Sequence, residues 1–250
     1  MSDDDTGPVL PGDGATDYER YLRTDELLAL QKPPEDRVHR DELLFQTVHQ
    51  SSELWLKLAL QEVEESTRLI DADELLEAAR LVRRAVLCVR QVTHALDMLD
   101  HLDPWDYHTV RTALGHGSGF DSPGFRNLAR VIPALGGAFD RAVQRAGVPA
   151  TDVYRRRGEF GALHELAEAL TDYDEQLRLW RFRHYSVVAR AIGEETTGIA
   201  GTPVQVLGKL IAQRQLPELW DLRARLVEIF EAEREAGGGS GGRAIGHGDS

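Results

Sequence analysis

From His39 to Ile70 the chain runs without a glycine or a proline. Along that stretch Leu43, Leu44, Val48, Leu54, Leu58 and Val63 recur at a spacing that fits a period of about 3.6 residues and does not fit alternation. A segment this long with one apolar stripe reads as a helix, and the stripe requires other helices to pack against. Asp71 to Asp73 interrupts the pattern. Glu74 to about Leu102 then repeats it, with Leu75, Ala79, Val82, Val86, Val89, Val92 and Leu96 on one face. Two such helices in succession point to a bundle.

The rest of the chain agrees. Asp103-Pro104 is a helix start, with proline at the first helical position, and the helix is expected from about Trp105 to Leu114. Gly115 to Gly124 is a loop by composition. Further helices are expected at about Phe125–Ala146, His164–Ile192, Thr202–Ala212 and Leu216–Ala236, with a polar, glycine-containing break from Gly193 to Gly201. No segment reads as a strand and no repeat is found. The expectation is an all-α bundle of long helices forming one domain over residues 16–236. Residues 1–15, rich in Asp, Gly and Pro, are expected to be disordered, and 237–250 to be a flexible Gly-rich tail.

Charge and cysteine content exclude several function classes. The net charge of −13 argues against non-specific binding to nucleic acid. Arg155-Arg156-Arg157 is the one dense basic run, and it reads as a solvated helix end. No run reaches the roughly eighteen apolar residues of a membrane span. The acidic start, Met1-Ser2-Asp3-Asp4-Asp5, lacks the apolar core of a secretory signal. A cytoplasmic location is the expectation. Cys88 is the only cysteine, so intramolecular disulfides are impossible and cysteine-based metal centres are disfavoured.

Three groups of residues carry chemistry. In Leu179-Trp180-Arg181-Phe182-Arg183-His184 a histidine has aromatic and cationic neighbours, and on a helix Trp180 and His184 share a face. A haem iron needs this combination: an axial nitrogen, an apolar slot and positive charge for the propionates. A packed core histidine would look the same. Phe45 and His49 are also four apart, with Ser52 and Glu53 one turn further on; buried polarity of this kind needs partners and also fits a structural network. Tyr107 and Arg111 form a third such pair, Arg111 being suited to a carboxylate. Ser118 lies in the Gly-rich loop, which offers free backbone N–H groups. No His-Glu-x-x-His or paired Glu-x-x-His pattern of a non-haem metal bundle is present, nor a Gly-x-Ser-x-Gly nucleophile turn.

In this order the segments resemble the tryptophan 2,3-dioxygenase family of haem enzymes. The resemblance runs from Tyr18 to about Arg223. It rests on Tyr18-Glu19-Arg20-Tyr21-Leu22 with Asp25 and Leu27-Leu28, then His39-Arg40-Asp41-Glu42 through Phe45 and His49-Gln50 to Glu53-Leu54-Trp55. Tyr107-x-x-x-Arg111 follows, then Gly115-x-x-Ser118-Gly119-Phe120-x-Ser122, the His184 block and Pro217-Glu218-Leu219-Trp220. The resemblance implies a haem-binding bundle with haem b as cofactor and dioxygen as co-substrate. His184 would be the axial ligand to the iron, with Trp180 and Ser118 beside the haem and Gly119 in the loop near its edge. His49 would face the indole N–H of a tryptophan-like substrate, Phe45 would pack on the indole, and Arg111 with Tyr107 would bind the carboxylate. Thr197 would lie in the segment that closes on the ammonium group. Tyr18, Tyr21 and Leu22 would be supplied to a neighbouring subunit of a homo-oligomer, a tetramer or a dimer.

Two departures stand out. The stretch between Phe120 and His184 is shorter than in typical members. The family's Gly-Thr-Gly-Gly-Ser type loop is replaced by Glu194 through Thr202. The implied reaction is opening of the indole C2–C3 bond of L-tryptophan, or a close analogue, to N-formylkynurenine. The alternatives are a monooxygenase making the 2-oxindole from tryptophan or β-methyltryptophan, a non-catalytic haem-binding helical protein, and a bundle without haem.

Overall fold

The computed structural model describes residues 7–198 and 201–238. Its α-helices are α1 (Asp17–Leu22), α2 (Thr24–Leu28), α3 (Glu42–Asp71), α4 (Leu75–Ala95), α5 (Pro104–Thr112), α6 (Pro123–Ala146), α7 (Ala150–Arg155), α8 (Gly161–Ile192), α9 (Val204–Ile211) and α10 (Pro217–Gly238). Among the described residues there is no strand, only an isolated antiparallel bridge between Thr197 and Pro203. The all-α expectation holds.

The two longest helices, α3 and α8, flank α4, which packs on both; α6 lies against α3, and α9 against α8. Where they meet, Leu56, Val63, Val82, Val89, Leu135 and Leu170 are buried. Each contributes about 1.5–3 kcal/mol by leaving water, as an upper bound. Cys88 is buried in the same core.

The helix expected to reach Leu102 ends at Ala95, and Leu96–His101 continue as a 3₁₀ helix. Three residues per turn bring positions i and i+3 into line. Leu96, Leu99 and Leu102 therefore face one cavity, while Asp97 and Asp100 together reach Arg183 of α8.

Three short helices, α1, α2 and α7, go beyond the expectation, being too brief to show a period. A capping box starts α1: the Thr16 hydroxyl accepts from Glu19 N–H, and the Glu19 carboxylate accepts from Thr16 N–H. The chain before it folds back on this helix. Val9 and Leu10 N–H groups donate to Asp17, and Arg20 donates to the carbonyls of Gly14 and Leu10. Composition alone does not announce that local order. Residues 1–6, and the Gly-rich tail from 239 onward, lie outside the described residues.

Candidate active site

A cavity of about 620 Å³ opens between α3, the Leu96–His101 turn, the Ser118–Ser122 loop, α8 and α9. Its size is within the roughly 300–1,000 Å³ usual for small-molecule sites. Phe45, His49, Tyr107, Ser118, Gly119, Trp180 and His184 all line it.

On the α8 side, Trp180 stacks one turn before His184, with ring centroids 5.4 Å apart and planes 9° from parallel. Phe125 of α6 stacks on Trp180 at 3.7 Å. Burial, reinforced by His49 nearby, pushes the His184 imidazole down to about 4, so the ring is neutral near pH 7. Neither ring nitrogen has a hydrogen-bond partner among the described residues. Gly119 passes close by: a Cβ built there would sit 3.8 Å from His184 Nε2.

The arginines around His184 hold helices together. Arg183 donates to Asp97 at 2.9 Å and to Asp100 at 2.5 Å. Arg181 donates to the carbonyl of Gln213 at 2.7 Å, and Arg178 to that of Ile211 at 3.3 Å, tying down the end of α9. Asp174, fully buried, accepts from Gln215 N–H at 2.7 Å and from Trp220 Nε1–H at 2.6 Å, which fixes the start of α10. Arg181 still borders the cavity, but Arg183 is committed to its two aspartates.

On the α3 side, His49 Nδ1 lies 2.7 Å from the Phe45 carbonyl oxygen. A carbonyl only accepts, so Nδ1 carries the proton and Nε2 is left as an acceptor. Phe45 stacks on the ring at 4.0 Å, and Tyr107 lies 6.4 Å from Phe45. Part of the His49 ring is open to the cavity, yet protein surrounds the rest. Burial therefore lowers its proton affinity, against opposing pulls from the Phe45 carbonyl and Glu53. Burial likewise raises the Tyr107 phenol, with Arg111 opposing.

Other expected site residues sit further out. Arg111 lies one turn beyond Tyr107 and is not part of the cavity lining. Thr197 pairs with Pro203, and its neighbours Gly198 and Thr202 border the cavity instead. Tyr18 and Tyr21 are 69% and 78% exposed on α1, with Leu22 beside them, and none reaches this cavity. Ser118 lines the cavity, but its N–H and hydroxyl serve its own turn through Asp121 and Phe120. Sequence reasoning missed the apolar wall from α9, formed by Val204, Leu207 and Leu210. The three-residue spacing of that wall, which keeps it on one helix face, was the available signal.

The profile of the family described as tryptophan 2,3-dioxygenase matches residues 3–137 and 138–226. The chain belongs to the tryptophan 2,3-dioxygenase family. Proteins named tryptophan 2,3-dioxygenase from Bacillus thuringiensis (strain Al Hakam), Polaromonas sp. and Caulobacter vibrioides are 32%, 33% and 33% identical to it. Each alignment takes in 84% of this chain, and 92%, 87% and 98% of the respective relative. The first spans 259 positions, more than the whole of this 250-residue chain, so that relative carries residues this one lacks. The family match breaks inside α6, which runs through the junction as one helix. Members are haem-dependent oxidoreductases, and this chain is an enzyme of that kind.

The cavity suits a haem. His184 offers a neutral imidazole with a free lone pair. Gly119 puts no side chain beside Nε2, where a Cβ would lie in van der Waals contact with the ring. Among the described residues, the one group of three side chains able to share an ion is His39, Asp41 and Asp106, none of which lines the cavity. A lone imidazole suits a metal that arrives with most of its coordination already filled.

Proposed function

We propose that this protein is a haem-dependent oxygenase that opens the indole C2–C3 bond of L-tryptophan, or a close analogue, giving N-formylkynurenine. One observation carries the reading: a neutral His184 and an acceptor-only His49 Nε2 face the same apolar cavity. His184 Nε2 would hold the haem iron, and Trp180, Ser118 and Gly119 would line the haem's site. When bound, the haem supplies the activation of dioxygen that no side chain can.

The residues of the chain then do four things. His49 Nε2 accepts a hydrogen bond from the indole N–H, which fixes the ring's orientation. Phe45 stacks on the indole, and Tyr107 closes the wall behind it. Arg111, one turn beyond Tyr107 on α5, pairs with the carboxylate, and Thr197 belongs to the segment that closes on the ammonium group. Leu96, Leu99, Leu102 and the α9 wall exclude water from the reacting bond. The exposed Tyr18, Tyr21 and Leu22 support a homo-oligomer in which α1 covers a neighbouring subunit's site. A cytoplasmic setting belongs to the same reading.

Mass spectrometry of product made from tryptophan and labelled dioxygen tests this. Incorporation of two labelled atoms into N-formylkynurenine is the expected result. One labelled atom in a 2-oxindole, or turnover only with β-methyltryptophan, would replace it with the monooxygenase reading and turn attention to Glu194–Thr202. Stoichiometric haem without any turnover would leave a haem-binding protein.

A further inference from the structure

Glu53 stands one turn beyond His49 on α3, and its carboxylate spans to the start of α6. One oxygen accepts from the Ser122 hydroxyl at 2.5 Å, and the other accepts from Gly124 N–H at 2.9 Å. Ser122 is the N-cap of α6, its hydroxyl oxygen also accepting from Phe125 N–H at 3.3 Å. The anion thus sits where a helix of 24 residues presents free N–H groups and the positive end of its dipole. No Lys or Arg pairs with Glu53 among the described residues, so this helix start is its main partner. The contact is tight. A Cβ at Gly124 would come 2.6 Å from Leu56 Cβ and 2.8 Å from Glu53 Oε2.

What this contact holds is the approach to His184. The Ser118–Ser122 segment is a single 3₁₀ turn closed by its own capping box, and it ends at the Glu53 contact. The same turn carries Gly119 past His184 Nε2. One carboxylate therefore joins the helix of His49 to the segment that crosses His184.

We propose that Glu53 is a positioning residue for the oxygenase reaction: it latches the Ser118–Ser122 turn to α3 and so sets the spacing between the two histidine-bearing walls. The proposal rests on the haem reading of the cavity. Glu53→Gln keeps the shape but loses the charge and one of the two acceptors. With haem loaded, kcat should fall on the order of ten- to a hundredfold while KM moves far less, since misplacement of reacting groups acts on the chemical step. Without haem, hydrogen exchange at Gly119 to Phe125 should quicken while the α4 core is unchanged. Ser122→Ala is the milder second variant. If Glu53 acts through Ser122, the double variant should be scarcely worse than Glu53→Gln alone.

Unchanged kcat in Glu53→Gln, or fully additive losses in the double variant, would overturn the latch. A drop in helix content matching the loss of activity would reduce Glu53 to a structural group and overturn it as well. If wild-type protein takes up no haem, the reading of the cavity fails first and the proposal falls with it.

Discussion

The two walls of the cavity are built by different means. On the α8 side, His184 is held by aromatic stacking, and the surrounding arginines bond to two aspartates and the end of α9. On the α3 side, His49 stacks on Phe45 and makes one bond to its own helix, and Tyr107 and Arg111 stand on the nine-residue α5. Hydrogen bonds to charged groups contribute about 1.5–3 kcal/mol each, against about 1 kcal/mol for neutral ones, and desolvation and exposure reduce what survives as net stability. A cofactor needs a wall that keeps one shape. A substrate that enters and leaves needs one that can yield. The difference suits the proposed division, in which the cofactor would be held by the α8 wall and the substrate by the α3–α5 wall.

The hardest way to break the comparison is His184→Ala. Stoichiometric haem binding should vanish, as read from the haem absorbance at saturation. Full haem occupancy in the variant would remove His184 as the ligand. A second measurement needs no haem. The folded-state imidazole titrates near 4 against an ordinary 6.5, so the unfolded chain binds more protons between those values. The stability tied to neutral His184 is fully present above pH 6.5 and is lost as pH falls towards 4. His184→Leu should flatten that part of the stability profile of the haem-free protein.

The α8 wall also marks where sequence stops being a sufficient guide. Phe45, His49, Trp180 and His184 were legible because each pair lies four apart on one helix, a relation that local periodicity carries. The long helices were legible for the same reason. Asp97 and Asp100 were not, because they read as ordinary helix-end polarity. Their partner, Arg183, is far along the chain, and only the fold brings it to the 3₁₀ turn that carries them. Glu53 with Ser122 and Asp174 with Trp220 are hidden in the same way, each joining helices that meet only in the fold. Helices as short as α1, which rests on its capping box, and α7, which packs on α8 and α10, are too brief for any stripe to appear.

Arg111→Leu tests the α3–α5 wall. KM for tryptophan should rise about ten- to a hundredfold, the equivalent of one charged hydrogen-bonded pair, while haem content stays as in the wild type. Indole analogues without a carboxylate should bind both proteins equally. A variant that loses haem in proportion to its loss of substrate binding would show that the two walls are not separable.

The smallest expected effect is in the acid limb of kcat/KM, and it isolates His49. The groups acting on that ring are Glu53 and the Phe45 carbonyl on α3, with His184 across the cavity on α8. Burial outweighs the two that favour its protonated form and holds it below 6.5. Only neutral His49 leaves Nε2 free to accept from an indole N–H, since protonation turns that nitrogen into a donor. Activity should therefore stay level through neutral pH and decline only as pH falls below 6.5. In His49→Ala the rate should be lower and that limb absent. A wild-type limb centred at or above 6.5, or one that persists in His49→Ala, would assign the titration to another group and leave His49 a packing partner of Phe45.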